Sequence, residues 1–199
     1  MSKDFWNSRY SEREFAYGTD PNEFFKEQIH KIIPGRAIFL GEGEGRNAVY
    51  AAKLGWQVDA VDFSSSAKDK ALKLAKENNV KINYAVSDLN DYDFKENDYD
   101  LVVMIFLHLP LELRTSIFSK SILSLKKNGR LLIEAFSKEQ INNISGGPRS
   151  IDLLYSENDV LSLTNDLRIE TMESKSIQLD EGKHHKGKAD VIRFVGVKS

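Results

Sequence analysis

The feature that most constrains the fold is a glycine-rich segment, residues 41–45, which reads Gly-Glu-Gly-Glu-Gly. An apolar run at residues 37–40 predicts a buried strand before it, and residues 46–54 predict a helix that ends at Gly55. Glycines at such a junction let the backbone turn sharply and let a ligand approach without meeting a Cβ atom. The segment therefore predicts a ligand-binding turn between a strand and a helix, with a plain structural turn as the alternative.

Short apolar runs alternate with longer mixed segments through the rest of the chain. Further strands are predicted at residues 58–61, 81–86, 100–106 and 130–136. Helices are predicted over residues 21–33, from the N-cap Ser64 to residue 76, and from Pro110 to about residue 126. This alternation predicts an α/β fold with a mostly parallel sheet and helices on both faces.

The last fifth of the chain has a different pattern. Residues 167–179 and 189–197 alternate apolar and polar side chains around a glycine-containing loop, which predicts two strands of an antiparallel hairpin. Residues 142–150 contain Gly-Gly-Pro and are predicted to form a loop.

Composition narrows the class of protein. The chain has 199 residues, 41% of them apolar, which is enough for the core of one domain, and its formal net charge is only −2. It contains no cysteine, which excludes disulfides, thiolate zinc sites and a cysteine nucleophile. The longest apolar run, residues 101–107, is too short to span a bilayer, and residues 1–4 carry no apolar signal core. We therefore expect a soluble, cytoplasmic protein with neither nucleic acid nor membrane as a partner.

The charges of the glycine-rich segment favour one ligand class. The dinucleotide motif G-x-G-x-x-G would need a third glycine where Arg46 stands. Glu42 and Glu44 would repel a pyrophosphate, which normally binds at such a helix N-terminus. They suit a ligand with positive charge, and S-adenosylmethionine carries both an ammonium and a sulfonium group.

Two further carboxylates follow the next strands. Asp62 lies 21 residues after Gly41 and can accept hydrogen bonds from ribose hydroxyls, a geometry that serves NAD and S-adenosylmethionine equally. Asp88 follows the third strand and can accept from an adenine amino group. Because ligands of open α/β sheets bind at the carboxyl ends of the strands, these groups are expected in one cleft.

Residues 41–55 and 58–64 together resemble the class I S-adenosylmethionine-dependent methyltransferases. The resemblance is greatest to the tellurite-resistance and thiopurine methyltransferase group, through Gly-Arg-Asn at residues 45–47, the aromatic head at residues 5–25 and Gly-Lys-His-His-Lys-Gly at residues 182–187. It implies a Rossmann-like, seven-stranded sheet, mostly parallel with the last strand antiparallel, and helices on both faces. The class usually has an acidic residue two places before the first glycine, and here that place is Phe39. Glu42 is therefore our candidate for holding the methionine ammonium.

The expected organisation is a single methyltransferase domain over residues 1–199. Residues 1–33 would form an N-terminal lid segment and helix, residues 36–136 the cofactor-binding core, and residues 137–199 a substrate-side loop, a helix and the terminal hairpin. The predicted cofactor is S-adenosyl-L-methionine, with S-adenosyl-L-homocysteine as its product. The predicted cofactor-binding residues are Gly41, Glu42, Gly43, Gly45, Asn47, Asp62, Phe63, Ser64, Asp88, Leu89 and Phe106.

Two histidines are candidates for removing a proton from the methyl acceptor, since histidine titrates near neutral pH. His108 follows the fourth strand at the same sheet edge, with a bond to local backbone as the equally weighted alternative. The resemblance favours His185, because that group has a His-Lys pair before its last strand; a solvated basic turn is the alternative. His184 and His185 lack carboxylates at ligand spacing, so no metal site is predicted.

The head and one arginine complete the predicted acceptor side. Trp6, Arg9, Tyr10 and Tyr17 could close as a lid over the sulfonium, with Arg9 on the methionine carboxylate. In the alternative interpretation, Trp6 and Tyr10 simply pack a helix onto the body. Arg114 lies six residues after His108 and is assigned to the same region.

These observations predict methyl transfer from S-adenosylmethionine to a small-molecule acceptor such as a thiol or a chalcogen oxyanion. The alternatives are a nicotinamide-dependent oxidoreductase and a non-catalytic module that binds S-adenosylmethionine. The sequence makes no prediction of oligomeric state.

Overall fold

The fold is known from a computed structural model, which describes residues 2–199. Its helices are α1 (Lys3–Tyr10), α2 (Glu23–Ile29), α3 (Arg46–Lys53), α4 (Ser65–Glu77), α5 (Leu111–Ser124) and α6 (Glu157–Leu163). Its strands are β1 (Arg36–Leu40), β2 (Gln57–Asp62), β3 (Asn83–Val86), β4 (Tyr99–Ile105), β5 (Leu125–Phe136), β6 (Leu167–Glu181) and β7 (His185–Lys198).

The strands form one seven-stranded sheet in the order β3-β2-β1-β4-β5-β7-β6. The first five strands pair in parallel, while β7 runs antiparallel to both β5 and β6. The carboxyl ends of β1 to β6 and the start of β7 therefore share one edge of the sheet. The predicted Rossmann-like sheet with an antiparallel last strand is confirmed.

Two apolar layers cover the faces of the sheet. On one face, α2, α3 and α4 pack on strand residues that include Phe39, whose ring meets the Phe25 ring edge-on at 5.4 Å. On the other face, α5 and α6 pack on Val102, Leu131 and their neighbours. Both faces are buried, which explains why the central strands are continuous apolar runs. Phe39 is fully buried, so the place of the usual acidic residue belongs to the core.

One helix and three strands differ most from their predicted bounds. The helix expected over residues 21–33 is the shorter α2, because the Asn22 side chain caps it by accepting from the Phe25 N–H, and the chain leaves the helix at His30. Strand β5 begins at Leu125, before its predicted start at residue 130, and Asn128 within it has a φ of 65°. The hairpin strands β6 and β7 extend beyond their predicted ends. Within residues 2–199, no helix is both long and apolar enough to cross a bilayer.

Candidate active site

A cleft of about 840 Å³ opens at the carboxyl edge of the sheet. Its walls are the glycine-rich segment, the ends of β2, β4 and β5, the head and the loop at residues 147–150. The structure brings most of the predicted site residues together there: Trp6, Arg9, Tyr10, Tyr17, Gly41, Glu42, Asn47, Asp62, Phe63, Asp88, Leu89, Phe106, His108 and His185. Because the parallel strands end at the same edge of the sheet, side chains from distant parts of the chain meet in this cleft.

Asp62 is held rigidly at the end of β2. Its Oδ2 accepts from the Gly43 N–H at 3.1 Å and its Oδ1 from the Ser64 N–H at 2.9 Å. Each oxygen keeps a second lone pair with which it can accept a ligand hydroxyl. Burial raises the pKa of Asp62 to about 6, against the lowering effect of these hydrogen bonds.

Glu42 lies across the N-terminus of α3. Its Oε1 accepts from the backbone N–H groups of Asn47 at 2.9 Å and Ala48 at 2.8 Å, while Oε2 makes no hydrogen bond within residues 2–199. Burial raises the pKa of Glu42 to about 7, more than these two bonds lower it. A cationic group beside Oε2 would favour the ionised form. Glu42 therefore fits the role predicted for it.

Three predicted cofactor residues do not line the cleft. Gly43 lies beneath the Tyr10 hydroxyl, which a Cβ at Gly43 would approach to 2.8 Å. Gly45, at φ 89°, packs against Ala71 in α4. The Ser64 side chain is fully buried and caps α4 by accepting from the Ala67 N–H. These contacts give each of the three residues a structural role beside the cleft, and their predicted contact with the cofactor stays a prediction.

Glu44 also faces away from the cleft. Its Oε2 accepts from the Ala16 N–H at 2.7 Å, and its Oε1 lies 2.7 Å from Lys70 Nζ. Glu44 is therefore engaged within the protein, and the expectation that the glutamates favour a cationic ligand stays a prediction for Glu42. Glu44 instead fixes the head to the body of the protein.

The head forms one wall of the cleft. Trp6 stacks on Tyr10 at 5.3 Å between ring centroids, and the Arg9 guanidinium lies 5.5 Å from the Trp6 ring and donates to Tyr17 Oη at 3.0 Å. The packing interpretation of Trp6 and Tyr10 is therefore confirmed. Both also face the cleft, so packing and a lid role are compatible.

Both ring nitrogens of His108 are engaged by backbone groups. Nδ1 donates to the Leu153 carbonyl at 2.8 Å, and Nε2 accepts from the Phe136 N–H at 3.4 Å. Burial lowers the pKa of His108 to about 4. His108 lines the cleft, and its hydrogen bonds join the segment after β4 to the end of β5 and to Leu153. These bonds agree with the alternative of a histidine bonded to local backbone, and a catalytic role of His108 stays a prediction.

Arg114 does not line the cleft either. Its guanidinium donates to the carbonyl oxygens of Leu109, Asp152 and Leu154 and lies 4.1 Å from the Tyr155 ring centroid. This satisfies a buried cation with backbone acceptors. These contacts support a role of Arg114 in stability, and its predicted place on the acceptor side stays a prediction.

His185 occupies the end of the cleft opposite Asp88, surrounded by aromatic rings. The ring centroids of Tyr17, Phe106 and Phe136 lie 4.4, 4.7 and 5.3 Å from that of His185. Its Nδ1 lies 3.3 Å from Glu181 Oε2. Burial lowers the pKa of His185, and the hydrogen bond to Glu181 opposes that shift. His185 and Phe106 thus lie side by side, although Phe106 was predicted to touch the cofactor.

Sequence reasoning missed two residues beside His185. Phe136 ends β5 at the carboxyl edge of the sheet. Asp62 was selected because it ends a predicted strand, and the same reasoning could have found Phe136. Glu181 precedes His185 by four residues in the hairpin turn, where the two are cross-strand neighbours. Only the predicted hairpin register would have signalled that pairing.

Residues 38–129 match the protein family described as "Methyltransferase domain". Over 93 residues, 45% of its length, the chain is 31% identical to Hemagglutinin 1 of Eikenella corrodens. It is 26% identical, over 65% of its length, to the probable S-adenosyl-L-methionine-dependent methyltransferase TehB of Haemophilus influenzae. It is 24% identical, over 80% of its length, to a ubiquinone biosynthesis O-methyltransferase of Rickettsia conorii. The chain spans 31%, 44% and 60% of the lengths of these relatives, respectively.

Solved structures share the fold across nearly the whole chain. TehB of Haemophilus influenzae superposes with a TM-score of 0.75 at 20% identity, covering 99% of this chain and 67% of that one. A protein whose structure describes conversion of a disulfide bond into a thioacetal group during echinomycin biosynthesis gives 0.80 at 14% identity, covering 99% and 90%. Magnesium protoporphyrin IX methyltransferase of Synechocystis, with bound S-adenosylhomocysteine, gives 0.65 at 19%, covering 88% and 80%. The domain match and the shared fold confirm the predicted resemblance to class I methyltransferases.

Proposed function

We propose that this chain is a class I S-adenosylmethionine-dependent methyltransferase that transfers a methyl group to a small-molecule acceptor. The main observation behind the proposal is that the cleft has two chemically different parts. Carboxylates of Glu42, Asp62 and Asp88 line one part, and the aromatic surroundings of His185 form the other. One part suits a cationic nucleoside and the other a small acceptor that loses a proton.

The cofactor side fits S-adenosylmethionine by the chemistry of its groups. Asp62 offers two fixed oxygens for ribose hydroxyls, and Glu42 offers Oε2 for the ammonium. Gly41, at φ 64°, lines the cleft without a side chain, so its backbone is open to the ligand. When bound, S-adenosylmethionine supplies a methyl group made electrophilic by the sulfonium.

The acceptor side supports a small acceptor with an acidic proton, such as a thiol or a chalcogen oxyanion. His185 is the only one of the two candidate bases whose Nε2 makes no hydrogen bond within residues 2–199. Phe106, Phe136 and Tyr17 exclude water around it, which strengthens the nucleophile. We assign the proton transfer to His185, and we assign closure of the cleft to the N-terminal lid segment within residues 1–33, which contains the head.

The head contributes a second function in this proposal. Trp6 and Tyr10 line the cleft, and the faces of aromatic rings attract cations. The Arg9 guanidinium is free of carboxylate partners within residues 2–199 and is available for the methionine carboxylate. The single-domain organisation over residues 1–199 and a cytoplasmic location stay predictions.

The methyltransferase domain match favours this reading over a nicotinamide-dependent oxidoreductase. Binding separates these two: S-adenosylhomocysteine at one hundred times its dissociation constant should stabilise the protein by about 2.7 kcal/mol, or roughly 5–10 °C in Tm, while NAD and NADP change nothing. A Tm shift with NADH and none with S-adenosylhomocysteine would overturn the proposal.

A turnover assay distinguishes an enzyme from a module that only binds S-adenosylmethionine. The protein is incubated with S-adenosylmethionine labelled in its methyl group and a panel of thiols, selenium and tellurium oxyanions and small carboxylates. A labelled, volatile or extractable product that depends on the protein supports the proposal. Tight binding of S-adenosylhomocysteine with no labelled product from any acceptor class supports the module.

A further inference from the structure

We propose that Glu181 is a positioning residue that holds His185 with its proton on Nδ1, so that Nε2 faces the methyl acceptor as a base. This inference rests on the proposed function and deepens it at the same site. The hydrogen bond between Glu181 Oε2 and His185 Nδ1 spans 3.3 Å. A carboxylate only accepts, so the neutral ring must carry its proton on Nδ1 and its lone pair on Nε2.

Three elements hold the Glu181 carboxylate in place. Arg46 of α3 donates to Oε2 at 2.9 Å, and the Asn22 side chain donates to Oε1 at 3.1 Å. Glu181 and His185 are paired across the hairpin, which keeps their side chains adjacent. The carboxylate cannot turn away from His185 without losing bonds to both α3 and the segment before α2.

The turn between these residues is itself anchored to the head. Gly182, at φ 70°, lies so close that a Cβ would meet the Ala16 carbonyl oxygen and the Gly18 nitrogen, both at 2.7 Å. The Tyr17 ring lies on the opposite side of this contact, against His185. The position of the head and the orientation of His185 therefore depend on the same packing contacts.

The charges around His185 make Glu181 the group that favours its protonation. Arg46 lies beyond Glu181, His184 is adjacent in the chain, and both oppose a positive charge on the ring. Tyr17 and the neutral His108 are the other titratable neighbours. Within residues 2–199, Glu181 is the carboxylate in contact with His185.

This arrangement gives the proton a defined path. The acceptor's proton moves to His185 Nε2, and the electron pair it leaves behind forms the new bond to the methyl carbon. The pair of the carbon–sulfur bond that breaks stays on sulfur, which loses its positive charge. The imidazolium so formed is stabilised by Glu181 and afterwards returns its proton to solvent.

Nuclear magnetic resonance of the cofactor-free protein tests the inference. Long-range proton–nitrogen spectra of ¹⁵N-histidine-labelled protein report the tautomer and titration of each ring, and His185→Ala assigns the signal. We expect the Nδ1–H tautomer in the wild type. In Glu181→Gln the titration midpoint of His185 should fall by at least about one pH unit. Glu134→Gln is the matched control, since Glu134 accepts from the same Asn22 side chain without contacting His185.

A second variant guards against misfolding of the first. Arg46→Met removes a positive charge that also binds the Glu181 carboxylate and that opposes protonation of His185. The titration midpoint of His185 should therefore rise. The inference is overturned if His185 shows the Nε2–H tautomer in the wild type, or if neither variant that folds moves the midpoint. These measurements need no cofactor. If S-adenosylhomocysteine does not bind, the proposed function is overturned, but the tautomer and the titration of His185 can still be measured. In turnover, the low-pH limb of kcat/KM should shift with the same sign as the midpoint.

Discussion

The backbone N–H of Gly43 donates a hydrogen bond to Asp62 Oδ2 across 3.1 Å, joining the glycine-rich segment to the end of β2. The glycine therefore orients the carboxylate and does not itself face the ligand. The bond leaves Asp62 rigid before any ligand arrives, which lowers the entropic cost of binding. Its partner on the other oxygen, the Ser64 N–H, completes the same preorganisation.

We expect Asp62→Ala to weaken S-adenosylhomocysteine binding by about 2–4 kcal/mol, because two hydroxyl groups lose a charged acceptor. Isothermal titration calorimetry measures this change. Asp88→Ala is the matched control at a more exposed carboxylate and should lose less. Unchanged affinity in Asp62→Ala would place the ribose elsewhere in the cleft.

The raised pKa of Glu42 makes opposite predictions for stability and for binding. The folded protein holds a proton on Glu42 that the unfolded chain releases between about pH 4.5 and about 7, so this group's contribution to stability falls as pH rises through that range. Glu42→Gln can still accept the two N–H bonds of α3. At pH 8 the cofactor-free variant should be more stable than the wild type, on the order of 1–2 kcal/mol.

Binding should move the other way, because an ammonium needs the ionised carboxylate. Wild-type affinity for S-adenosylhomocysteine should increase from pH 6 to pH 7.5 with release of a proton, measured by calorimetry in buffers of different ionisation enthalpy. Glu42→Gln should bind about tenfold more weakly, with any residual pH dependence confined near the Asp62 pKa of about 6. Identical pH profiles for the two proteins would remove Glu42 from the ammonium site.

Arg114→Ala should destabilise the protein by about 2–4 kcal/mol, since the carbonyl oxygens of Leu109, Asp152 and Leu154 lose their donor. Urea denaturation measures the loss. Arg114→Lys keeps the charge but not the planar fork, so it should recover only part of the stability. Cofactor affinity should stay within about twofold in both variants at 20 °C. A large loss of affinity in a folded variant would return Arg114 to the cleft.

The parts of the site that sequence predicts are those fixed by backbone periodicity. Asp62 was found because a strand buried on both faces has a readable end, and parallel strands bring their ends to one edge. The alternating pattern predicted the antiparallel hairpin, and the family resemblance implied that its last strand runs against the sheet, which places His185 at the same edge. Each of these inferences depends on local pattern plus one topological rule.

The parts that sequence could not predict are set by side-chain direction in loops. Gly43 and Gly45 both adopt positive φ, which turns Glu44 toward Lys70 and away from the cleft. Contacts over long sequence separations are equally hidden: His108 is buried, and its Nδ1 donates to the carbonyl of Leu153, 45 residues later. No local pattern carries that information, so a histidine at a strand end looked like a base.

The variant His185→Ala tests whether His185 takes part in catalysis or only supports the structure of the cleft. The side chain lies among aromatic rings at the end of the cleft away from Asp62, so S-adenosylhomocysteine affinity should change by less than about threefold. Methyl transfer to an acceptor that must lose a proton should fall by roughly 10²-fold or more, because general-base catalysis contributes that much. With an acceptor that is already anionic, the loss should be smaller and nearly independent of pH. Single-turnover rates across pH 6–9 measure both cases, and His184→Ala, which changes the adjacent histidine, is the control. Collapse of cofactor affinity in His185→Ala would instead assign the residue to the cofactor side.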